Sequence, residues 1–167
     1  DELKARIEAL ALKINFIENF LEIGKKETSN DANESATARD QGKSDKAGAY
    51  AAAYQTFKNG NYAKAREAFQ EFLTTYPSGE YADNAQYWIG ECYFFEKQFE
   101  KAILEYEKVT RKFPSSNKVP YALVKQALSF QNLGDKASAK LLLQQVIKEY
   151  PDTSQARVAR SKLQELR

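Results

Sequence analysis

Leu3, Ile7, Leu10, Ile14, Ile17 and Leu21 follow one another at steps of four and three, an unbroken heptad that predicts a coiled-coil helix over residues 1–24. Ile7, Ile14 and Leu21 occupy a, and Leu3, Leu10 and Ile17 occupy d. Mixed Ile and Leu at both positions, with no Asn on the seam, points to a trimer. At about three heptads the segment is short for a coil on its own, and more of it is expected upstream. An amphipathic helix docked on the rest of the chain is the alternative. The pattern then stops. Residues 25–46 hold Ala as their only apolar residue type, between five acids and five bases, and predict a flexible linker with little to bury against its ordering entropy.

From residue 47 onward the pattern becomes periodic on a larger scale. Tyr76-Pro77, Phe113-Pro114 and Tyr150-Pro151 place their prolines 37 residues apart both times. In that register Ala65, Ala102 and Ala139 coincide, as do Phe69, Tyr106 and Leu143, and Phe72, Val109 and Val146. A repeat of this length marks a solenoid whose units hide their apolar faces by stacking. Each unit reads as two helices. Tyr62, Ala65, Phe69, Phe72 and Tyr76 mark one face of a second helix, and the apolar run AQYWIGECYFF marks a first helix with neither face wholly wet. Gly60 and Gly134 suit the left-handed turn between paired helices, and Pro120 suits a first helical turn. Ala53, Gly90 and Ala127 share one register of small residues, which predicts close helix approach. Ser154–Arg167 places Ala156, Ala159, Leu163 and Leu166 on one face, as a terminal capping helix should.

Composition narrows the chemistry. The chain has 167 residues, a net charge of +2, no histidine and one cysteine. The absence of histidine removes the commonest general base and metal ligand. A single cysteine rules out an intrachain disulfide and a cysteine-rich zinc site. The small net charge gives no ground for a nucleic-acid partner, no apolar run is long enough to insert in a membrane, and the serines have no base beside them. No catalytic residue, metal ligand or cofactor is expected. Cys92 and Trp88 read as core, and Glu67, Glu71, Glu105 and Glu107 as solvated helix faces.

Gly90, Tyr93, Ala102, Tyr106 and Pro114 carry the pattern of tetratricopeptide repeats (TPR), although Ala53 stands for the usual Gly and Lys136 for the usual aromatic after the turn. The phrases NAQYWIGECYF, YPSGEYADNA and GDKASAKLLLQQVIKEYPDTSQARVA resemble the YbgF (CpoB) family of periplasmic TPR proteins of the Tol-Pal system. The fold class expected is thus all-α: repeats at about 47–80, 81–117 and 118–153, a capping helix at 154–167, and a coiled coil and linker before them. The resemblance implies a trimeric N-terminal coil, a signal peptide in the precursor, TolA as partner, and a role coordinating outer-membrane constriction with septal peptidoglycan synthesis. Two other readings stay open: a TPR lipoprotein adaptor of outer-membrane assembly, and a domain that presents a peptidoglycan synthase. TPR arrays bind partners along the concave face of their first helices. Transferred by position, that groove comprises Tyr50, Tyr54, Phe57, Asn84, Tyr87, Glu91, Phe94, Phe95, Lys125, Leu128 and Asn132, with Tyr50, Tyr54 and Tyr87 expected to be exposed on it. Replacing Ala102 with Leu should overpack the helix pair and lower stability by about 1–3 kcal/mol in urea denaturation.

Overall fold

The computed structural model describes residues 36–166, with side chains from Asp45 onward. The expected coiled coil over 1–24 and the first part of the linker lie outside the described residues. Two compact units divide the chain, Asp1–Arg39 and Asp40–Arg167, and the repeats lie in the second. Every regular element among the described residues is a helix: α1 Ala36–Lys58, α2 Tyr62–Thr75, α3 Ala82–Phe95, α4 Phe99–Lys112, α5 Val119–Asn132, α6 Lys136–Glu149 and α7 Ser154–Glu165. From α2 onward each helix packs on the next, and α7 also reaches back to α5. Tyr50 joins α1 to α2 by edge contacts on Phe69 and Phe72, both with ring centroids 5.8 Å apart.

One boundary departs from the sequence expectation. The stretch read as linker runs to residue 46, yet α1 is helical from Ala36. A helix nucleated by the packed turns around Tyr50 extends into this stretch because the expensive first turn is already formed, even though Thr37, Asp40, Gly42 and Ser44 are weaker helix formers than its Ala, Arg, Gln and Lys.

The punctuation of the repeats is physical. Tyr76, Phe113 and Tyr150 leave their helices at φ −128°, −129° and −130°, since the proline that follows each one disfavours the helical region for its predecessor. Gly60 and Gly134 take φ +78° and +84° in the turns between paired helices. The middle turn uses Lys97 at φ +59° in the same register, a left-handed conformation without glycine's exemption from the Cβ clash. Asn61, Asp135 and Thr153 cap α2, α6 and α7 by accepting from the main-chain N–H groups of Lys64, Ser138 and Ala156.

The core follows the repeat register. Ala65, Ala102 and Ala139 are buried, as are Phe69, Tyr106 and Leu143, and Phe72, Val109 and Val146. Ala53, Gly90 and Ala127 are buried where the first helices meet their partners. At Gly90 the approach is so close that a Cβ would sit 2.6 Å from two carbons of the Tyr106 ring. Ala156, Ala159 and Leu166 close the end of the array. Gly90→Ala should therefore cost about 1–3 kcal/mol, whereas Lys97→Gly should gain about 1 kcal/mol by relieving its left-handed backbone. Urea midpoints of the two variants, moving in opposite directions, check both.

Candidate functional site

The first helices α1, α3 and α5 stand side by side and carry all eleven groove candidates. On α1 the aromatic candidates turn inward. Tyr50, Tyr54 and Phe57 are buried, and Trp88 of α3 is the reason. Its indole Nε1–H donates to the Tyr50 hydroxyl at 2.9 Å, and the rings of Tyr54 and Phe57 both lie 4.9 Å from it. Tyr87 is buried as well, tilted 5.8 Å from Tyr106 and edge-on at 6.4 Å to Tyr121. The expected exposure of Tyr50, Tyr54 and Tyr87 is thus corrected: these rings form the interface between units. Amphipathic rings bury large areas when their hydroxyls find partners, and helix periodicity cannot tell a groove wall from the seam between units.

A polar cluster occupies the middle of α3. Glu91 is fully buried. Its Oε1 accepts the Tyr106 hydroxyl of α4 at 2.5 Å and faces the Lys125 ammonium of α5 at 3.2 Å. The same ammonium lies 3.8 Å from the centre of the Phe94 ring, a cation–π contact that holds it partly out of water. Among the described residues no donor completes a hydrogen bond to Glu91 Oε2 or to Oδ1 of the buried Asn84. Phe94 and Phe95 are half-buried, Phe95 stacking on Tyr62 at 5.2 Å. Lys125 and Leu128 are half-buried, and Asn132 is exposed, its Nδ2 donating to the Leu128 carbonyl at 2.7 Å. The structure therefore brings Tyr87, Glu91, Phe94 and Lys125 together, sets Asn84 two turns away along α3 and leaves Asn132 exposed.

Three contributors escaped the sequence. Lys118 is buried, with its ammonium 4.7 Å from the Tyr121 ring centre and 5.9 Å from that of Tyr87. Arg66 pairs with Glu96 across two units and lies 4.4 Å from the Tyr93 ring centre. Glu105, expected on a solvated face, keeps a side chain only 14% exposed and accepts from Gln86 at 2.8 Å and Lys108 at 2.7 Å. A helical pattern marks faces, and these three act between faces. Cys92 is buried, as expected. No group of three metal-ligating side chains occurs among the described residues, and none of their helices is long and apolar enough to cross a membrane.

Burial raises the phenol pKa values of Tyr50, Tyr87 and Tyr106, and the nearby Glu91 charge adds to the rise for the last two. Burial also pushes Tyr54 up to about 12 and raises the Cys92 thiol. The unfolded chain releases these protons at lower pH than the folded one. Stability is therefore fully present below the unfolded values and falls as pH rises through them toward the folded values. Urea midpoints should decline between about pH 9 and pH 12, in step with exposure of tyrosinate absorbance.

Comparison with known proteins places this geometry. A family model described as YfiO, outer membrane lipoprotein, matches residues 42–167. The chain is 50% identical over 42 residues to the cell division coordinator CpoB of Pseudomonas putida, a match covering 25% of this chain and 16% of that protein's length. Among solved structures, PcrH from Pseudomonas aeruginosa is similar with a TM-score of 0.64 at 16% identity, covering 74% of this chain and 92% of that one. The Yersinia enterocolitica type III secretion translocator chaperone SycD gives 0.61 at 21% identity, over 72% and 90%. The first TPR of Spaghetti (RPAP3) bound to an HSP90 peptide gives 0.60 at 17%, over 72% and 89%. These structures share the fold, a TPR solenoid. Matched over its whole repeat region, the chain belongs to the YfiO family of outer membrane lipoproteins and is a CpoB/YbgF-like TPR protein.

Proposed function

We propose that the chain is a non-enzymatic periplasmic scaffold of cell division, which binds TolA through its first-helix groove and links outer-membrane constriction to septal peptidoglycan synthesis. The observation that carries this reading is the local 50% identity to a cell division coordinator, set in a fold that holds partners rather than reacting with them. The groove supports it. Phe94, Phe95, Lys125 and Leu128 offer half-buried apolar and cationic surface on rigid helices, and an ordered surface loses little entropy on binding. Trimerisation through residues 1–24 would gather three such grooves and add avidity without new contacts.

A second reading draws on the family description itself. An adaptor of outer-membrane assembly, held to the membrane by a lipid, would also place a YfiO-type solenoid in the periplasm. A diacylated cysteine in the precursor, found by mass spectrometry of membrane fractions, favours that reading. Processing by ordinary signal-peptide cleavage favours the first. A peptidoglycan synthase is the further partner to probe in either case.

Calorimetric titration of the chain with the periplasmic part of TolA tests the main proposal. Saturable binding should weaken by about tenfold in Phe94→Ala, because a half-buried aromatic anchor carries a large share of interface energy. Phe94 is a better probe than the core residue Tyr87, whose truncation would perturb the fold. Absence of binding at any workable concentration overturns the TolA assignment.

A further inference from the structure

Two acceptor atoms on the groove side of α3 share an unusual state: each is buried and neither receives a hydrogen bond. Asn84 is 9% exposed with an unpaired Oδ1, and Glu91 is 0% exposed with an unpaired Oε2. Seven residues separate them, two helical turns or about 10.5 Å along one face. Buried polar atoms are nearly always paired. Of the donors that surround Glu91, the Tyr106 hydroxyl and the Lys125 ammonium address Oε1, the Tyr87 hydroxyl also faces the carboxylate, and Lys125 is further held over Phe94.

A carboxylate has acceptor capacity on both oxygens and holds two donors with charge assistance. The ligand that completes this site must bring protons to two acceptors at that spacing, and at Glu91 a cation would take over part of the charge pairing that Lys125 now supplies. We propose that this face of α3 binds an extended peptide segment whose Lys or Arg side chain donates to Glu91 Oε2, while a main-chain N–H about three residues away donates to Asn84 Oδ1. An extended chain advances about 3.3 Å per residue, so three residues span the two acceptors. The half-buried Lys125 side chain, 19% exposed, is the cover that shifts to admit the cation. The rings of Phe94 and Phe95 on the next turn receive its aliphatic stem. An acidic side chain is disfavoured, because both oxygens would confront it without a proton to share.

This inference rests on the proposed groove and names the chemistry of its ligand. The test is an NMR titration of the isotope-labelled chain with an acetylated, amidated alanine heptapeptide carrying one central arginine. The comparison peptide carries citrulline, a neutral isostere. Saturable shifts at Asn84, Glu91 and Lys125, with the citrulline peptide weaker by about tenfold or more, support the site. Glu91→Gln should reduce affinity by a similar factor, and Asn84→Ala by several-fold, with circular dichroism reporting the fold of both. If Glu91→Gln does not fold, Asn84→Ala and the citrulline peptide decide. Equal affinity for the two peptides, or shifts confined to other helices, overturns the proposal. TolA that fails to bind while the arginine peptide saturates removes that partner and supports the site. TolA binding that survives both substitutions, with no peptide response, overturns the site and keeps the partner.

Discussion

A buried carboxylate at Glu91 obliges three helices to meet in one arrangement. Taking a charge out of water costs several kcal/mol unless donors and an opposite charge replace the lost hydration. The Tyr106 hydroxyl comes from α4 and the Lys125 ammonium from α5. The hydroxyl can reach only if the Tyr106 ring lies across α3 at the place where Gly90 has no side chain. One polar interaction thus sets how close α4 comes to α3 and brings α5 alongside. The outer repeats manage the same junction without charge: Ala53 with Phe69, and Ala127 with Leu143, are apolar pairs in the same register. The middle repeat carries the specificity and its neighbours carry the burial.

Around that junction the two halves of the array use different materials. Between α1 and α3 the interface is built from rings, with Tyr50, Tyr54, Phe57, Tyr81 and Trp88 in edge and stacked contacts. Such pairs contribute about 0.5–1.5 kcal/mol each beyond their area, and they fix orientation through the indole–phenol hydrogen bond. From α5 to α7 the core is aliphatic, with Val119, Leu123, Val124, Leu143 and Val146 closed by Ala159 and Leu166. The polar cluster of α3 lies between the two, supported by packing on both sides.

That position bears on function. A scaffold binds well when its contact groups are held before the partner arrives, and Phe94, Phe95 and Lys125 sit on helices whose other faces are core. Lys125 has a double role, since it neutralises Glu91 and also shields it. A partner able to bring its own cation meets a site already shaped for one. The proposed groove is therefore an apolar surface over one buried ion pair, Glu91 with Lys125, so that in this reading specificity comes from the polar cluster and affinity from the rings.

The repeat architecture was legible in the chain. Prolines 37 residues apart, the Ala65–Ala102–Ala139 register, the turn glycines and the capping face of α7 all follow from local rules of backbone geometry and periodicity, which act over a few residues and so are written in order. The small residue at position 90 was legible too, as a demand for close approach. The start of α1 was not, because a helix extends from a packed nucleus that lies further along the chain. Nor was the inward turn of Tyr50, Tyr54 and Tyr87. Whether an aromatic stripe lines a groove or a seam depends on which neighbouring unit covers it, and that neighbour is a helix some 37 residues away. The Glu91 cluster joins positions 91, 106 and 125; the sequence placed 91 and 125 in the groove and 106 in the repeat pattern, but not in contact. Periodicity determined the repeats and their shared register, and only tertiary packing decided which faces become seams and which residues meet, because burial, charge pairing and the cost of an unpaired acceptor are properties of contacts between helices.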